Sequence, residues 1–216
     1  MDNENRIDPV DSSESLEGED VAVKSKKPSA GEILRSAYDY VEILGFSVVA
    51  VLLLFTFCFR LCQVDGNSML NTLSDKEMVI TTNIFYAPSE GDIIVFHAHG
   101  LNNKPVVKRV VATGGQKVKI DLTEKKVYVN GKLFDDSNTY LSDGEYEKYS
   151  HFRQEDLHID KNGHLVYEAT VPEGMLFVLG DNRNGSTDSR TAVGFVDENC
   201  VLGKVIFRIS PFTVFN

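Results

Sequence analysis

Hydrophobic residues follow two different patterns along this chain. Residues 43–59 form a run of seventeen positions without a charge. Beyond residue 78 the apolar positions come in short runs that are separated by Gly, Pro, Asn and Asp. A long uncharged run is typical of a helix that spans a bilayer, and short runs bounded by turn residues are typical of β-strands. The sequence therefore predicts one N-terminal transmembrane helix followed by a mainly β domain, built of coiled antiparallel β-sheet.

The helix is expected to occupy residues 29–62, with its transmembrane part at about residues 43–60. Ser29 and Glu32 have the spacing of a capping box, which favours a helix start there. The uncharged run spans roughly 25 Å at about 1.5 Å per residue, near the lower limit for crossing a bilayer. A buried core helix would be amphipathic, which this run is not. A cleaved export signal would have a shorter preceding segment and a small-x-small site after it, so we interpret the run as an uncleaved anchor.

Basic residues lie mainly before the apolar run. Lys24, Lys26, Lys27 and Arg35 precede it, and few basic residues follow it closely. Such residues stay on the cytoplasmic side of a membrane. We therefore expect a single-pass cell-membrane protein with a cytoplasmic N-terminus and with residues 63–216 outside the cytoplasm.

The net charge of −10 is concentrated near the N-terminus. Residues 1–23 carry eight acidic residues and one arginine, which is a net charge of −7. A segment so acidic and so poor in aromatic residues does not bury enough apolar surface to fold, so residues 1–28 are predicted to be a disordered acidic cytoplasmic tail. The rest of the chain is only mildly acidic, which gives no support to nucleic-acid binding.

The β domain is expected to cover residues 63–216. Asn130 and Gly131 predict a hairpin turn. Residues 92–96 are apolar at nearly every position, which is typical of a strand buried on both faces. Residues 135–165 are polar without a clear pattern and are expected to form a weakly structured insertion. The predicted strands are residues 79–85, 92–96, 105–111, 118–122, 126–129, 175–179 and 200–209.

A dense polar stretch, residues 181–190, lies between two apolar runs. Its sequence is Asp-Asn-Arg-Asn-Gly-Ser-Thr-Asp-Ser-Arg, and it follows a predicted strand. Chemistry is commonly placed where a strand ends in a polar loop. Two other features stand out: Gly66-Asn67-Ser68-Met69 after the apolar run, and Lys108, which interrupts a β-branched strand. Taken singly, these are most often an ordinary loop, an ordinary turn and an exposed lysine.

Together the three segments resemble the bacterial type I signal peptidases, in their Gram-positive form, in order and in spacing. Residues 180–190 match the family's glycine-aspartate-asparagine-arginine box with its downstream Ser and Asp. Ser68-Met69 and Lys108-Arg109 match two further boxes, and residues 91–96 match the strand between them. The resemblance runs from about residue 43 to the C-terminus. It implies the β fold of the signal peptidases and a membrane-anchored serine endopeptidase that cleaves signal peptides from exported preproteins.

The resemblance also implies a serine–lysine mechanism. Ser68 is the expected nucleophile, and Lys108 is the expected base, which burial among apolar strand residues would keep neutral. Ser186 is expected to hydrogen-bond Lys108 and fix its orientation. Asp188 is expected to form an ion pair with Arg109 or Arg190. In the family this aspartate orients charge, but the sequence alone does not separate that role from the role of a base.

The partners implied by the resemblance are preprotein signal peptides and the lipid bilayer. Substrate is expected to bind by strand addition along the buried strand. No cofactor is implied, and the cysteines and histidines show no metal-ligand spacing. The expected substrate-binding residues are Met69, Asp92, Ile93, Ile94, Val95 and Phe96.

The chain departs from the family pattern in places. Asn71 stands where the family commonly has Pro, and Gly114-Gly115-Gln116 stands where it often has Pro-Gly-Asp. Gly66 has no hydroxyl to offer an oxyanion, which leaves that task to main-chain N–H groups such as that of Ser68.

The cysteines leave one question open. Cys58 and Cys62 are four residues apart, so the sequence predicts that they stack on one face of the helix. A disulfide between Cys62 and Cys200 is the open alternative.

Two other functions share parts of this pattern. A self-cleaving Ser–Lys repressor would have a DNA-binding helix-turn-helix and no anchor, which is the reverse of this chain. A catalytically altered signal-peptidase-like protein, acting in pilus or surface-protein assembly, would have lost the lysine, whereas Lys108 is present.

Overall fold

The computed structural model describes residues 29–139, 152 and 156–215. These residues form one α-helix, α1 (Ala30–Cys58), and thirteen strands, which confirms a mainly β chain with an N-terminal apolar helix. The acidic tail predicted at residues 1–28 lies outside the described residues. The strands are β1 (Phe59–Gln63), β2 (Met78–Thr82), β3 (Ile93–Ala98), β4 (Lys104–Thr113), β5 (Lys117–Asp121), β6 (Lys126–Val129), β7 (Lys132–Leu133), β8 (Leu157–Ile159), β9 (Leu165–Thr170), β10 (Met175–Leu179), β11 (Val196–Asp197), β12 (Val201–Arg208) and β13 (Thr213–Val214).

Helix α1 begins directly after Ser29, whose carbonyl accepts a hydrogen bond from the N–H of Ile33 at 3.0 Å. Its residues Ile33–Cys58 are long and apolar enough to cross a membrane, and an 18-residue stretch within them has a mean hydropathy of 2.4 with no buried positions. The hydroxyls of Ser47 and Thr56 donate to carbonyls about one turn earlier in the helix. These polar side chains are therefore hydrogen-bonded within the helix itself.

The helix ends earlier than the sequence predicts. The expected transmembrane part reached residue 60, but Phe59 and Arg60 belong to β1, which pairs with β2 along its whole length. Cys58 is the last helical residue and Cys62 lies in β1, so the prediction that these two cysteines stack on one helix face is wrong. Pairing with β2 decides the outcome here, because strand formation depends on partners distant in sequence.

The larger sheet is antiparallel, with the strand order β1-β2-β12-β3-β4-β10-β11 and with β13 paired to β12. Strand β3 lies inside this sheet, between β12 and β4. Ile94 and Phe96 pack into one hydrophobic cluster, and Ile93 and Val95 pack into another. The prediction of a strand buried on both faces is therefore confirmed.

The smaller sheet has the order β7-β6-β5-β9-β8 and follows β4 through a turn at Gly114 and Gly115. A Cβ atom on Gly114 would lie 3.0 Å from the Cα atom of Glu173, so the two chain segments approach this closely only because residue 114 is glycine. Asn130 and Gly131 have φ values of 50° and 79° and join β6 to β7, which confirms the predicted hairpin.

The segment predicted to be a weakly structured insertion, residues 135–165, is described only in part. Residues 140–151 and 153–155 lie outside the described residues. Leu157–Ile159 forms β8 and pairs with β9, and Phe152 packs against Tyr167 in the core of the smaller sheet. The prediction is wrong at these positions, because pairing with β9 supplies an order that the local pattern does not reveal.

The chain leaves β2 at Thr82, three residues before the predicted end of that strand. Phe85 has a left-handed backbone conformation, with a φ of 49°, and its side chain is fully exposed. Tyr86 points the other way and donates its hydroxyl to Asp92 Oδ2 at 2.7 Å. The tip of this connection therefore presents Phe85 to its surroundings while Tyr86 holds it to the domain.

Candidate active site

The turn that carries Ser68 is held by its neighbours. Gly66 has a φ of 93°, and its N–H donates to Asp75 Oδ1 at 2.7 Å. This left-handed conformation favours glycine. Met69 is 1% exposed and packs into a hydrophobic cluster, while its carbonyl accepts from the N–H of Leu73 at 2.8 Å. Ser68 is therefore presented from a turn that is fixed on both sides.

Lys108 lies on β4 and is 3% exposed. Its Nζ atom donates to Ser68 Oγ at 2.7 Å and to the carbonyl oxygen of Val107 at 2.9 Å. Burial lowers the pKa of Lys108 to about 8, against the opposing effect of the Asp188 and Asp181 charges. The structure thus joins two residues forty positions apart in a pair that can transfer a proton.

An ion pair beneath this site joins Asp188 to Arg190. The Nε and Nη2 atoms of Arg190 each donate to the Asp188 carboxylate at 2.8 Å, and both side chains are almost fully buried. Burial alone would raise the pKa of Asp188, but the Arg190 charge and hydrogen bonds, with the N–H of Gly180, hold it below its ordinary value. Asp188 is thus a buried carboxylate stabilised in its charged form.

Arg109 forms a different ion pair. Its Nε and Nη2 atoms donate to the two carboxylate oxygens of Asp181 at 2.8 and 2.6 Å, and its Nη1 donates to the carbonyl of Gly91 at 2.8 Å. Thr72 also donates its hydroxyl to Asp181. Of the two partners that the sequence left open for Asp188, the structure therefore selects Arg190. Arg109 instead anchors the start of the polar stretch of residues 181–190, which is called the polar loop below.

Asn182, which the family resemblance implies only as a residue that shapes the polar turn, contacts the nucleophile turn directly. Its backbone N–H donates to the carbonyl of Ser68 at 3.0 Å, and its Nδ2 donates to the carbonyl of Asn67 at 3.1 Å. In the sequence, only its position in the family's glycine-aspartate-asparagine-arginine box indicated that it has a functional role. The side chain is 5% exposed, so these bonds are shielded from water.

Ser186 lies in the same loop and is 2% exposed. Among the residues that the structure describes, its Oγ atom has no hydrogen-bond partner, so the predicted bond to Lys108 is not formed in this conformation. A Cβ atom on Gly180 would come within 2.1 Å of Ser186 Oγ and 2.5 Å of the Ser68 carbonyl oxygen. Glycine at residue 180 is what lets the polar loop approach the nucleophile turn.

A cavity of about 340 Å³ opens beside Ser68 and Lys108. Of the six predicted substrate-binding residues, Met69 and Val95 contribute to its walls. Most of its other walls come from β1, from the chain leading to Ser68, and from the first half of β4. The lining residues are Cys62, Gln63, Val64, Asp65, Ser68, Met69, Val95, His97, Pro105, Val106, Val107, Lys108 and Leu202.

Strand addition along β3 is the part of the sequence analysis that the structure contradicts. The residues of β3 pair with β12 on one side and with β4 on the other, so no edge is open to a substrate. Ile93, Ile94 and Phe96 are buried core residues. Asp92 Oδ1 is 2.8 Å from the Nζ of Lys204, and Oδ2 accepts from Tyr86. Asp92, Ile93, Ile94 and Phe96 therefore stabilise the sheet and do not line the cavity. An almost wholly apolar strand is typical of the interior of a sheet and not of its edge.

Open strand edges lie elsewhere around the cavity. Within the described residues β1 pairs with β2 alone. Strand β4 pairs with β10 only from Arg109 onwards, so in the part of the chain that the structure describes residues 104–108 have no strand partner on that side. Both of these segments contribute residues to the cavity beside Ser68.

Comparison with known proteins decides the family. The family model described as signal peptidase, peptidase S26, matches residues 37–210. The chain belongs to this family. It is therefore a hydrolase of a serine endopeptidase family, and the resemblance drawn from the sequence is confirmed.

The similarity to individual signal peptidases is extensive. Signal peptidase IB of Staphylococcus aureus (strain Mu50) is 38% identical over 159 residues, which cover 70% of this chain and 78% of the relative. Signal peptidase I of Bacillus caldolyticus is 38% identical over 173 residues, which cover 78% of this chain and 87% of the relative. Among solved structures, a signal peptidase I from Enterococcus faecalis V583 is 32% identical, covers 55% of this chain and 97% of its own, and has a TM-score of 0.39.

A second polar cluster of this signal peptidase family member lies in its smaller sheet. His164 Nδ1 is 2.7 Å from Asp121 Oδ2, and Lys119 Nζ is 2.6 Å from Asp160 Oδ2. The hydrogen bond to Asp121 raises the pKa of His164, and the one from Lys119 lowers the pKa of Asp160 to about 2. One carboxylate oxygen each of Asp121 and Asp160 and a ring nitrogen of His164, atoms of the kind that bind metal ions, lie within 4.8 Å of one another. The sequence spacing did not reveal this grouping. The ammonium group of Lys119 forms an ion pair with Asp160, so a positive charge is already present in this cluster.

The cysteines are free thiols. Cys200 Sγ lies 3.1 Å from Nε2 of His99, and Cys62 lies at the wall of the active-site cavity. The disulfide between Cys62 and Cys200 that the sequence left open is therefore not formed in this structure.

Proposed function

We propose that this chain is a membrane-anchored signal peptidase I, which removes N-terminal signal peptides from exported preproteins by means of Ser68 and Lys108. The observation that carries the proposal is the 2.7 Å hydrogen bond between Lys108 Nζ and Ser68 Oγ, in a site where burial lowers the pKa of Lys108 to about 8. At mildly alkaline pH a lysine with such a pKa is neutral in a large fraction of the protein molecules, and the neutral form can accept the hydroxyl proton. The alternative of a catalytically altered assembly protein has no observation in its favour, since both residues are present and joined.

In the first step, neutral Lys108 takes the proton of Ser68 Oγ while Oγ attacks the carbonyl carbon of the scissile bond. The carbonyl oxygen becomes an oxyanion, to which the main-chain N–H of Ser68 donates. Protonated Lys108 then gives its proton to the leaving amine, and the mature protein departs while the signal peptide stays as an ester on Ser68. A water molecule deprotonated by Lys108 hydrolyses this ester and restores the serine.

Three side chains of the polar loop, Asp181, Ser186 and Asp188, support this pair without breaking bonds. Asp188 is assigned as a charge orienter and not as the base, because both of its oxygens accept from Arg190 and its lowered pKa makes it a weak proton acceptor. Arg109 and Asp181 hold the start of the loop against β4. Ser186 is assigned as the orienter of Lys108, accepting a hydrogen bond from Nζ once Ser68 Oγ is bonded to substrate. Its buried hydroxyl lies near the Asp188 carboxylate, whose pKa it helps to lower, and a hydroxyl that donates there keeps its lone pairs for the Lys108 ammonium, which supports that role.

The substrate is proposed to bind as an extended strand between the open edge of β1 and the unpaired half of β4. Main-chain hydrogen bonds to an open edge give affinity, and alternate side chains enter pockets. The lining of the cavity is largely apolar, with Met69, Val95 and Val106 among its residues. Small side chains directly before the cut, and two positions earlier, fit this arrangement and the small-x-small pattern of signal peptides.

The anchor is proposed to be the apolar part of α1, Ile33–Cys58. We infer a cytoplasmic N-terminus and an extracytoplasmic β-rich peptidase domain from residue 63 onwards, since Lys24, Lys26, Lys27 and Arg35 precede the uncharged run of residues 43–59. The acidic segment of residues 1–28 would then be cytoplasmic.

The test is cleavage of a purified preprotein with an Ala-x-Ala cleavage site by the detergent-solubilised full chain. Wild type should release a signal peptide of defined length, and Ser68→Ala and Lys108→Met should release none while keeping the wild-type circular dichroism spectrum. A wild-type protein that fails to cleave, or a folded Ser68→Ala variant that still cleaves, would overturn the proposal.

A further inference from the structure

The polar loop holds the nucleophile turn through two hydrogen bonds from one residue. The backbone N–H of Asn182 donates to the carbonyl of Ser68 at 3.0 Å, and its side-chain Nδ2 donates to the carbonyl of Asn67 at 3.1 Å. The side-chain Oδ1 accepts from the N–H of Gly185 at 3.1 Å. This third bond fixes which way the amide group faces, so the Nδ2 donor is held towards the carbonyl of Asn67.

The bond to the Asn67 carbonyl fixes the orientation of the whole peptide group between Asn67 and Ser68. The peptide bond between Asn67 and Ser68 is trans, because the cis bonds of the described chain lie elsewhere. In a planar trans peptide the C=O and the N–H point in opposite directions. Holding the carbonyl of Asn67 on Asn182 therefore turns the N–H of Ser68 away from the polar loop.

The N–H of Ser68 is the group that this orientation leaves available. Among the described residues no backbone or side-chain acceptor bonds it, whereas the N–H groups of Leu70 and Leu73 in the same turn are both bonded. Ser68 itself lines the cavity beside Lys108. A nucleophile whose own N–H has no acceptor, at the wall of a cavity, has the form of an oxyanion site.

The packing around Ser68 leaves little freedom to this peptide group. A Cβ atom on Gly180 would lie 2.5 Å from the carbonyl oxygen of Ser68, so the loop backbone is in close contact with the turn. The same carbonyl accepts from Asn182, which is 5% exposed. Both peptide groups of Ser68 are thus set by the polar loop, the preceding one through the amide side chain and the following one through the backbone.

We propose that Asn182 is a positioning residue that aims the N–H of Ser68 at the oxyanion of the tetrahedral intermediate. The inference rests on the proposed function, because it concerns the same acyl-transfer reaction. Asn182 touches neither substrate nor Lys108 in this role, and it acts through the plane of one peptide bond. Without the Nδ2 donor the Asn67 carbonyl keeps only the longer bond from the N–H of Leu70, at 3.3 Å. The peptide plane is then held less tightly, and the oxyanion donor is misaimed while substrate binding is kept.

The experiment compares detergent-solubilised full-length variants on an Ala-x-Ala preprotein and on a peptide aldehyde of the same cleavage sequence. The aldehyde mimics the intermediate, because Ser68 Oγ adds to its carbonyl carbon, the C=O π bond breaks, and the hydroxyl proton passes to Lys108. Losing an oxyanion donor costs on the order of 100- to 1,000-fold in kcat, so misaiming one in Asn182→Ala should cost about 10- to 100-fold. The KM should change by less than about threefold, and the aldehyde affinity should fall in parallel with kcat.

Two further variants separate positioning from stability. Ser189→Ala removes another buried hydrogen bond of the same loop, the one from the N–H of Val178 at 2.8 Å, and does not touch the nucleophile turn. It should keep kcat and aldehyde affinity within about threefold of wild type at a similar loss of stability. Asn182→Asp keeps an acceptor for Gly185 and replaces the Nδ2 donor by a carboxylate oxygen, so it reports on the same bond even where Asn182→Ala does not fold. Because the added charge also raises the pKa of Lys108, its kcat is compared with that of wild type on the alkaline plateau of the rate profile. It should show the same parallel loss of kcat and aldehyde affinity.

The pH profile adds a readout that a general loosening of the site would move. Asn182→Ala removes no charge, so the midpoint of its rate profile should stay at that of wild type while the plateau falls. Folded Asn182 variants whose kcat matches Ser189→Ala would overturn the inference, as would a loss of kcat without weaker aldehyde binding. A wild-type protein that cleaves no preprotein would overturn the proposed function, and this inference with it.

Discussion

The buried guanidinium of Arg183 holds the carboxylate of Asp136, although the two residues lie 47 positions apart. Nη1 of Arg183 donates to Oδ2 of Asp136 at 3.0 Å, and Nη2 donates to Oδ1. Asp136 follows β7 of the smaller sheet, whereas Arg183 lies in the polar loop after β10 of the larger one. The Nε of Arg183 also donates to the carbonyl of Gly180 at 3.1 Å, so this ion pair connects the smaller sheet to the loop behind Ser68.

Replacing Asp136 by Ala is expected to lower the free energy of unfolding of the β domain. The change leaves the almost fully buried Arg183 charge without this carboxylate, which costs about 3–5 kcal/mol when a buried pair is broken from one side. The loss should lie at the low end, because the Asp136 side chain is 21% exposed. Urea unfolding followed by circular dichroism measures it. Asp65→Ala is the matched control, since it removes a carboxylate from the exposed pair with Lys76 and should leave the unfolding midpoint unchanged. Equal midpoints for the two variants would contradict this account of Arg183.

Replacing Asp181 by Asn is expected to shift the pH dependence of cleavage to lower pH. The negative charge of Asp181 raises the pKa of Lys108, so its removal lowers that pKa, and Lys108 becomes neutral at a lower pH. The unpaired charge of Arg109 acts in the same direction. The midpoint of the kcat/KM profile reports this shift, with Asp92→Asn as a control at a buried carboxylate that pairs with Lys204 instead. A midpoint that moves up, or that moves equally in both variants, would count against the electrostatic explanation.

Phe85 is expected to enter the lipid bilayer when the protein is in a membrane. Its side chain is fully exposed at the tip of the connection after β2, and exposed apolar residues at a loop tip favour an interface with lipid. The chain contains no tryptophan, so Phe85→Trp introduces a single reporter. In liposomes its fluorescence should shift to shorter wavelength and be quenched by brominated lipids. Leu133→Trp in β7, at a residue that is 55% exposed, is the matched control and should remain unquenched. Quenching that is equal at both positions would contradict the prediction.

The orientation of the chain in the membrane has its own test. Protease added outside intact spheroplasts should digest the domain after residue 63 and spare the segment before residue 30, because basic residues before an apolar helix stay in the cytoplasm. An antibody tag at each end reports which part is cut. Digestion of the N-terminal tag alone would show the opposite orientation.

The sequence predicts where the strands of this protein lie along the chain better than it predicts which strands pair with one another. Alternating and apolar runs are local properties, and β3, β4, β10 and β12 lie close to where those runs place them. Which strand is interior depends on pairing between distant segments. Residues 92–96 were therefore recognised as buried but were misjudged as the strand that receives substrate, because both of their edges are occupied.

The candidate site shows the same division. The resemblance picks out Ser68 and Lys108, and the fold brings them within hydrogen-bond distance. It leaves two partners for Asp188, because ion pairs are chosen by side-chain direction and not by spacing along the chain. The bonds from Asn182 to the carbonyls of residues 67 and 68 join backbone atoms 115 and 114 positions away, which no local pattern encodes.

The central claim is that Lys108 acts as a neutral base, and the pH profile of kcat/KM tests it most directly. Burial places the pKa of Lys108 at about 8, so the rate should rise through that pH and level off above it. Lys108→Arg should be folded and inactive at every pH, because a guanidinium does not lose its proton. The account predicts a single rising limb in wild type and no activity in Lys108→Arg. A profile that is flat from about pH 6 to 10, or a folded Lys108→Arg variant with near-normal activity, would contradict it.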